Sequence, residues 1–224
     1  MTSRAAMTPS LQLRRHSNAL RPSVVMVLLA SVAVPHQAVQ RWSPEALPLA
    51  REPSNLVLRS GDIILRRGVT WASSAVMVFD TAARYSHAGI IAFLRDSTYV
   101  IHVEPRNATG AGHVIVEPIA DFIHPTKASA FVVYRLRQNL SANVSTAVEA
   151  ALSYAAVPIA FDGRFDADDS SQLYCTELIW LAFKHGGLDL VPNFRDRARP
   201  PWGGASIILL SDIQASTLLE PATE

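Results

Sequence analysis

One cysteine and two histidines within apolar segments are the residues of this chain whose types and spacing could do chemistry. Cys175 is the only cysteine among 224 residues, so it cannot form an internal disulfide or a multi-cysteine metal site. A thiol becomes a nucleophile when a base takes its proton, and a neutral imidazole is well suited to that task. The elements that hold Cys175 and the histidines therefore decide whether they can act together.

The residues after Cys175 have the period of a buried helix. Three apolar residues stand i+3, i+4 and i+7 from it: Leu178, Ile179 and Ala182. This spacing predicts one apolar helix face that includes the cysteine, and Gly186-Gly187 predicts the helix end. In the first turn, free N–H groups and the helix dipole would lower the pKa of the thiol. The alternative is that a lone cysteine is a small core residue.

Two of the seven histidines are candidates for the base. The other five precede the fold, lie at loops or end a helix: His16, His36, His113, His124 and His185. His87 and His102 lie in predicted strands on either side of a turn at 95–97. If these strands form a hairpin, both side chains can face the same side of the sheet. Gly89 would leave room beside His87 for another backbone or a substrate. Each histidine taken alone is also explained as a hydrogen-bonded core residue.

The elements around these residues indicate the α+β class. Apolar runs between turn signals predict five strands, at 63–65, 85–94, 98–104, 114–117 and 130–136. Helical patterns cover 70–82, 145–156 and the segment from Cys175, and 118–124 has the pattern of a short helical turn. Residues 192–205 are predicted to be irregular, and 207–219 form a mixed apolar segment. The fold expected is an antiparallel sheet of about five strands packed against helices.

The N-terminus has the layout of a secretory signal peptide. Residues 1–23 carry four arginines and no acidic residue, an apolar run follows at 24–34, and Ser31-Val32-Ala33 offers small residues for cleavage. We therefore expect a signal peptide at 1–33, a linker or extended lead-in at 34–55, a folded domain at 56–224, and a periplasmic or secreted protein. An uncleaved membrane anchor is the alternative, although the run is short for a bilayer span.

Charge argues against nucleic acid as a partner. The formal net charge of the chain is +1, and no run of Lys or Arg is present. Cleavage after Ala33 would remove four of the 20 basic residues and leave 16 against 19 acidic ones, a net charge of −3. A net negative protein has no attraction for phosphate backbones or anionic lipid. We also expect a monomer that needs no cofactor and holds no metal.

Three short motifs, taken in their order, carry a resemblance to a known family. Gly61–Ile64 (GDII), Ser86–Ile90 (SHAGI) and Tyr174–Leu178 (YCTEL) resemble motifs of the permuted papain-like cysteine hydrolases. The YaeF/YiiX-type amidases of the NlpC-type superfamily are the branch that this chain resembles most, and lecithin retinol acyltransferase is a more distant relative. The resemblance covers Leu56 to Leu190. Here the histidine precedes the cysteine, which is what permutation of the papain order implies.

The resemblance implies a role for each matching residue. Cys175 would be the nucleophile, His87 the general base and acid, and His102 the third catalytic residue. Many relatives have Val-Ile-Glu-Ala where this chain has Val100-Ile101-His102, so Glu104 is the runner-up for orienting His87. Tyr174 and Glu104 are expected to bind substrate. The oxyanion hole would use the Cys175 N–H and a second donor that the sequence does not identify, because Phe161 stands where relatives often have tyrosine.

Three hypotheses follow. The first is an exported cysteine hydrolase that cleaves an amide, or alternatively an ester or thioester, in a peptidoglycan peptide or an acyl-amide lipid. The second is a non-catalytic module on the same fold that binds lipid or cell-wall fragments. The third is a structural envelope protein whose strand histidines are core residues. The carboxylates of the loop before Cys175 are expected to be solvated and not to bind a cation, because EF-hand spacing and its closing glutamate are missing: Asp162, Asp166, Asp168 and Asp169.

Overall fold

The structure is a computed structural model that describes residues 56–70, 73, 77, 80–105, 112–196 and 206–222. The expected signal peptide, the expected lead-in and seven of the 13 residues of the helix predicted at 70–82 lie outside these residues. So does most of the predicted irregular segment, at 197–205. Within the described ranges, no helix is long and apolar enough to cross a bilayer.

Within the part of the chain that the structure describes, one sheet of eight strands organises the fold. The strands are β1 (Ile63–Gly68), β2 (His87–Leu94), β3 (Ser97–Pro105), β4 (Gly112–Pro118), β5 (Ala128–Leu136), β6 (Ala160–Phe161), β7 (Gln172–Leu173) and β8 (Leu219–Pro221). Their order across the sheet is β7-β6-β4-β3-β2-β1-β5-β8. Every neighbouring pair is antiparallel except β6 and β7, which run parallel.

The predicted sheet of about five antiparallel strands is therefore corrected to eight strands in a partly mixed sheet. The five expected strands are all present as β1 to β5. The additional strands β6, β7 and β8 have only two or three residues each. A segment of that length cannot show the period-2 alternation from which strands are recognised. The α+β class is confirmed.

In the described residues, four α-helices accompany the sheet. They are α1 (Ile119–Phe122), α2 (Val144–Ala155), α3 (Cys175–His185) and α4 (Leu210–Ala215). The short turn at 118–124, the helix at 145–156 and the helix that opens at Cys175 are thus confirmed. Gly187 follows α3 with φ of 81°, a left-handed conformation that glycine adopts without strain, and so ends the helix as predicted.

Strand alternation divides the apolar residues into two clusters, one on each face of the sheet. The first cluster contains Ile63, Ala88 and Ile90 together with the buried faces of α2 and α3. The second contains Ile64, Ile91 and Phe122. Helix α3 therefore packs on one face, whereas α1 supplies Phe122 to the other.

The turn before β1 is fixed by Asp62. Its carboxylate accepts hydrogen bonds from the Arg59 N–H at 2.8 Å and from the Arg135 guanidinium at 2.7 and 2.8 Å. Gly61 has φ of 85° in the same turn. A structural Asp62 is what the sequence predicts, and the contacts confirm it.

Candidate active site

Cys175 is the first residue of α3, and its sulfur faces the start of β2. Tyr174 precedes it in extended conformation, with φ of −118° and ψ of 170°. Backbone N–H groups of Ala88, Thr176 and Cys175 itself lie near the thiol and act to lower its pKa. The pairing of β2 with β3 reaches only to Ile90, so the Ala88 N–H is not used by β3. The beginning of β2 and the N-terminus of α3 therefore meet at this sulfur.

The resting thiol is neutral, contrary to the sequence-based expectation. Burial raises the pKa of Cys175 to about 11, although the three N–H groups and the nearby Arg66 guanidinium act in the opposite direction. Removing the sulfur from water disfavours the thiolate more than the helix end favours it. The residue as a whole retains some accessible surface. Nucleophilic attack by this cysteine thus requires a base.

His87 and His102 are brought together as the predicted hairpin requires. Nε2 of His87 lies 2.9 Å from Nδ1 of His102, and the two rings meet edge to face at 83° with centroids 5.0 Å apart. His102 is fully buried and His87 is 9% exposed. Both rings also contact Phe122. Because Nε2 of His87 faces Nδ1 of His102, Nδ1 of His87 takes no part in the contact between the two rings.

The space at Gly89 is filled by the neighbouring strand. A Cβ on Gly89 would lie 3.0 Å from the Ile101 carbonyl oxygen and 3.1 Å from Cβ of His102, and it would overlap Val100. The sequence left open whether Gly89 makes room for another backbone or for a substrate. The structure shows that the backbone of β3 takes this space. The close approach of β2 to β3 places the two histidine rings in contact.

Glu117 and Lys127 extend the histidine pair, and the sequence analysis missed both. Oε1 of Glu117 lies 2.9 Å from Nε2 of His102, although the N–H points off the line to that oxygen and the hydrogen bond is weakened accordingly. Nζ of Lys127 donates to the other oxygen, Oε2, at 2.7 Å. Burial raises the pKa of Glu117, but the hydrogen bonds from His102 and Lys127 outweigh it and lower the pKa to about 2. Glu117 is therefore a carboxylate at neutral pH.

Arg66 is a buried cation beside the histidines and was also missed. Its Nη2 donates to Oε2 of Glu104 at 2.5 Å, its Nη1 donates to the Phe122 carbonyl oxygen at 3.0 Å, and its guanidinium lies over the Phe122 ring. Burial lowers the pKa of His87 well below 6.5, and Arg66 adds to the effect. A charged residue inside the apolar strand Ile63–Gly68, two positions from Ile64 on the same face, is the sequence signal that could have identified it.

Glu104 stands close to His87 but is held by Arg66. Its Oε2 lies 3.6 Å from Nε2 of His87, compared with 2.9 Å for His102. Of the two candidates for orienting His87, His102 makes the shorter contact. The Glu104 side chain is partly exposed, so its carboxylate remains accessible to solvent.

Tyr174 is placed in the core and not in an open cleft. The residue is 2% exposed, and its hydroxyl accepts a hydrogen bond from the Ile208 N–H at 2.8 Å. Burial raises the pKa of this phenol. In the described residues, its side chain thus supports segment 206–209 over the start of α3, and Thr176 does the same by donating to the Ile208 carbonyl oxygen.

The carboxylates of the acidic loop before Cys175 have hydrogen-bond and ion-pair partners in the protein. Asp162 accepts the N–H groups of Arg164 and Asp166, and Arg164 pairs with Asp169 at 3.0 Å. Asp168 pairs with the Arg195 guanidinium at 3.0 Å. These contacts give the carboxylates partners within the protein, and Asp162 is 1% exposed, so the expectation of a solvated loop is wrong for Asp162.

Across the described part of the chain, no hydrogen bond joins Sγ of Cys175 to either histidine ring. The thiol and His87 are linked instead through the Ala88 N–H, one residue further along β2. Catalytic hydrogen bonds are often long before substrate binds. The donor atoms of His87, His102 and Glu104 also lie within 4.8 Å of one another, which is close enough for the three residues to hold one metal ion.

Comparisons with known proteins identify the fold and the family of this chain. The chain's fold is similar to the crystal structure of yiiX from Escherichia coli O157:H7, described as a metalloprotein, with a TM-score of 0.59 at 17% identity, covering 74% of this chain and 97% of that one. No curated protein matches the sequence significantly. The model of a family described as permuted papain-like amidase enzymes, YaeF/YiiX, C92, matches residues 57–193. That match spans β1 to β7 and the whole of α3, and the chain accordingly belongs to the permuted papain-like amidases.

Proposed function

We propose that this protein is an exported cysteine amidase that hydrolyses an amide bond through an acyl-enzyme on Cys175. The observation that carries the proposal is the meeting of the N-terminus of α3 with the start of β2. There the Ala88 N–H lies near the Cys175 thiol, one residue along β2 from His87, whose Nε2 is already committed to His102. Family membership supports the hydrolase class.

The proposed first step forms the thioester. His87 takes the thiol proton on Nδ1 as Sγ attacks the carbonyl carbon, and the oxygen of the tetrahedral intermediate accepts the Cys175 N–H. Collapse of the intermediate breaks the C–N bond. The proton on Nδ1 then goes to the departing amine, which leaves as a neutral product.

The second step returns the enzyme to its starting state. His87 takes a proton from water as the water oxygen attacks the thioester carbon, and Sγ then leaves and recovers the proton. A neutral thiol with its pKa raised to about 11 and a neutral His87 are the resting partners. Proton transfer from Cys175 to His87 therefore accompanies nucleophilic attack and does not precede it. The resting site contains no thiolate–imidazolium pair.

The amide substrate is proposed to lie outside the cytoplasm. The arginine-rich start and apolar run at 24–34 support export, after which a cell-wall peptide or an acyl-amide lipid is within reach. The expected net charge of −3 after cleavage favours neither nucleic acid nor anionic lipid surfaces as partner. Intact mass of the protein recovered from the cell envelope or medium would show whether residues 1–33 are removed.

Two substrate panels test the proposal. Purified protein is incubated with muropeptides in one panel and with N-acyl amides in the other, and the thioester is sought by intact mass after rapid acid quench. We expect product with one of the panels, an adduct on Cys175, and loss of both in Cys175→Ala. Turnover that persists in Cys175→Ala would exclude the cysteine mechanism. A ligand that binds both forms equally without product would instead support a binding module.

A second candidate is a metal site formed by His87, His102 and Glu104, whose donor atoms lie within 4.8 Å of one another. The related structure is described as a metalloprotein, and the donor types suit zinc. The fit is poor, however, because Arg66 already holds Glu104 and its positive charge opposes a divalent ion. Calorimetric titration with Zn²⁺ decides between them: we expect no stoichiometric binding and no loss of turnover after dialysis against a chelator, whereas tight binding of one ion would favour the metal site.

A further inference from the structure

Four residues on four separate segments form one continuous polar chain that leads away from the cysteine. His87 contacts His102 at 2.9 Å, His102 contacts Glu117 at 2.9 Å, and Glu117 accepts from Lys127 at 2.7 Å. This polar chain of side chains crosses from β2 to β3 to β4 and ends at Lys127, just before β5. Its outer end is the only part with substantial exposure, since the Lys127 side chain is 39% accessible and that of His102 is 0%.

The positions of the protons along this polar chain are set from its outer end, where Glu117 meets Lys127. Glu117 is ionised and can only accept hydrogen bonds, and its Oε1 lies 2.9 Å from Nε2 of His102, so the carboxylate favours a proton on that nitrogen although the N–H points off the line to the oxygen. If Nε2 holds the single proton of His102, its Nδ1 is a bare acceptor, and Nε2 of His87 must carry the proton that lies between the two rings. With His87 neutral as well, Nδ1 of His87 has a free lone pair.

We infer that Glu117 is a positioning residue that fixes the tautomers of both histidines and leaves Nδ1 of His87 unprotonated to take the Cys175 proton. The inference rests on the proposed role of His87 as the base. Glu117 acts from two residues away and touches neither the thiol nor a substrate. Buried Nε2 of His102 makes no other polar contact among the described side chains, so removing the carboxylate leaves nothing else to set its tautomer.

Lys127 makes Glu117→Gln an informative variant. The Lys127 ammonium is only a donor, so it will hold the amide oxygen and turn the amide NH₂ group toward His102. Nε2 of His102 must then accept, its proton moves to Nδ1, and the order reverses along the chain until Nδ1 of His87 carries the proton. Nη1 of Arg66 lies 3.8 Å from Oε1 of Glu117, beyond hydrogen-bond distance, and does not compete with Lys127.

The double variant Glu117→Gln/Lys127→Met provides the rescue. Without the ammonium, the amide can rotate so that its oxygen accepts from His102, and the original tautomers return. Lys127→Met alone keeps the carboxylate and therefore the original tautomers. Glu149→Gln, on the exposed side of α2, is the matched control for the loss of one carboxylate.

The test reads the tautomers directly from long-range ¹H–¹⁵N spectra of protein labelled with ¹⁵N-histidine, with signals assigned from His87→Gln and His102→Gln. Alkylation of Cys175 by iodoacetamide at pH 7 is measured in parallel. We expect Nε2–H on both rings in the unmodified protein, Nδ1–H in Glu117→Gln, and recovery in the double variant. The alkylation rate should fall roughly a hundredfold in Glu117→Gln, recover at least in part in the double variant and stay unchanged in Glu149→Gln.

Three outcomes would overturn the inference: unchanged tautomers in Glu117→Gln, a doubly protonated His102 in the unmodified protein, or a double variant as impaired as the single one. The last would show a structural loss, because only a tautomer effect is reversed by removing Lys127. If the tautomers behave as expected while alkylation is the same in the unmodified protein and in His87→Gln, the inference on Glu117 stands and the proposed function fails.

Discussion

Gly89 on β2 and His102 on β3 lie so close that a Cβ on the glycine would stand 3.1 Å from Cβ of the histidine. This contact sets how near the two strands approach where the histidine rings meet. It makes a glycine necessary at a position whose backbone is otherwise that of an ordinary strand.

Gly89→Ala should therefore lower both stability and thiol reactivity. Overpacking against Val100 and His102 is expected to cost about 1–3 kcal/mol, and the shift of His102 should reduce the alkylation rate of Cys175. Gly163→Ala is the control, because a Cβ there meets no heavy atom within 4 Å. Thermal unfolding and alkylation of both variants are compared. An equal effect of the two substitutions would contradict the packing explanation.

The pH dependence of alkylation should separate the thiol from its base. His87 has a pKa well below 6.5 and Cys175 one of about 11, so protonation of His87 removes the base and the rate falls only as the pH drops through that lowered pKa, well below pH 6.5. Above that pH the rate should be nearly level through neutrality. His87→Ala should lose this level region and show only a thiolate rate that rises about tenfold per pH unit toward pH 11. Identical profiles for the two proteins would mean that His87 does not serve Cys175.

Glu177 should make the protein less stable as pH rises. Burial is the main cause that raises its pKa to about 8, although the Tyr174 N–H acts in the opposite direction, and both carboxyl oxygens are buried. The folded state therefore binds this proton more tightly than the unfolded chain, whose Glu pKa is about 4.3. That stabilisation is complete below pH 4.3 and is lost as pH rises through about 8.

Glu177→Gln removes the titration while keeping the side-chain shape. We expect it to raise the Tm at pH 8 by more than at pH 5, measured by thermal unfolding in buffers of equal ionic strength. Glu149→Gln, on the exposed side of α2, is the charge-matched control and should show the same small change at both pH values. A Tm gain independent of pH would indicate that Glu177 is not protonated in the folded protein.

The Asp62–Arg135 pair should contribute more to stability than the exposed Arg137–Glu220 pair. Asp62 is 2% exposed and accepts three hydrogen bonds, so Asp62→Ala leaves a partly buried guanidinium without its partner and should cost about 3 kcal/mol. In Arg137–Glu220 both side chains are exposed, and Glu220→Ala should cost less than about 1 kcal/mol. Urea unfolding measures both; equal midpoints would refute the difference.

The elements that could be predicted from sequence are those with a local period. Strands β1 to β5 and helices α2 and α3 each extend over enough residues to show alternation or a 3.6-residue repeat. The hairpin prediction for β2 and β3 correctly placed His87 beside His102. Strands β6 to β8 have no such signal, because pairing with distant segments and not their own pattern makes them strands.

The partners of the histidines could not be predicted for a related reason. Arg66 is opposite His87 in the β1–β2 register, and Glu117 is opposite Val100 in the β3–β4 register; both contacts depend on strand order, which the local sequence does not contain. The thiol pKa was misjudged because the helix end is visible in the sequence, whereas the depth of the sulfur is not. A charge within an apolar strand is the one signal that was available, at Arg66 and at Glu117.

The charges around the two histidines cancel: Arg66 and Lys127 are balanced by Glu104 and Glu117 within a few ångströms. Balanced charges at such short range produce little potential beyond a Debye length of about 8 Å. Charged molecules are therefore neither drawn toward this cluster nor turned away by it during diffusion. Capture of a substrate should depend on short-range shape and hydrogen bonding after collision, and the second-order rate constant should change little between low and high ionic strength.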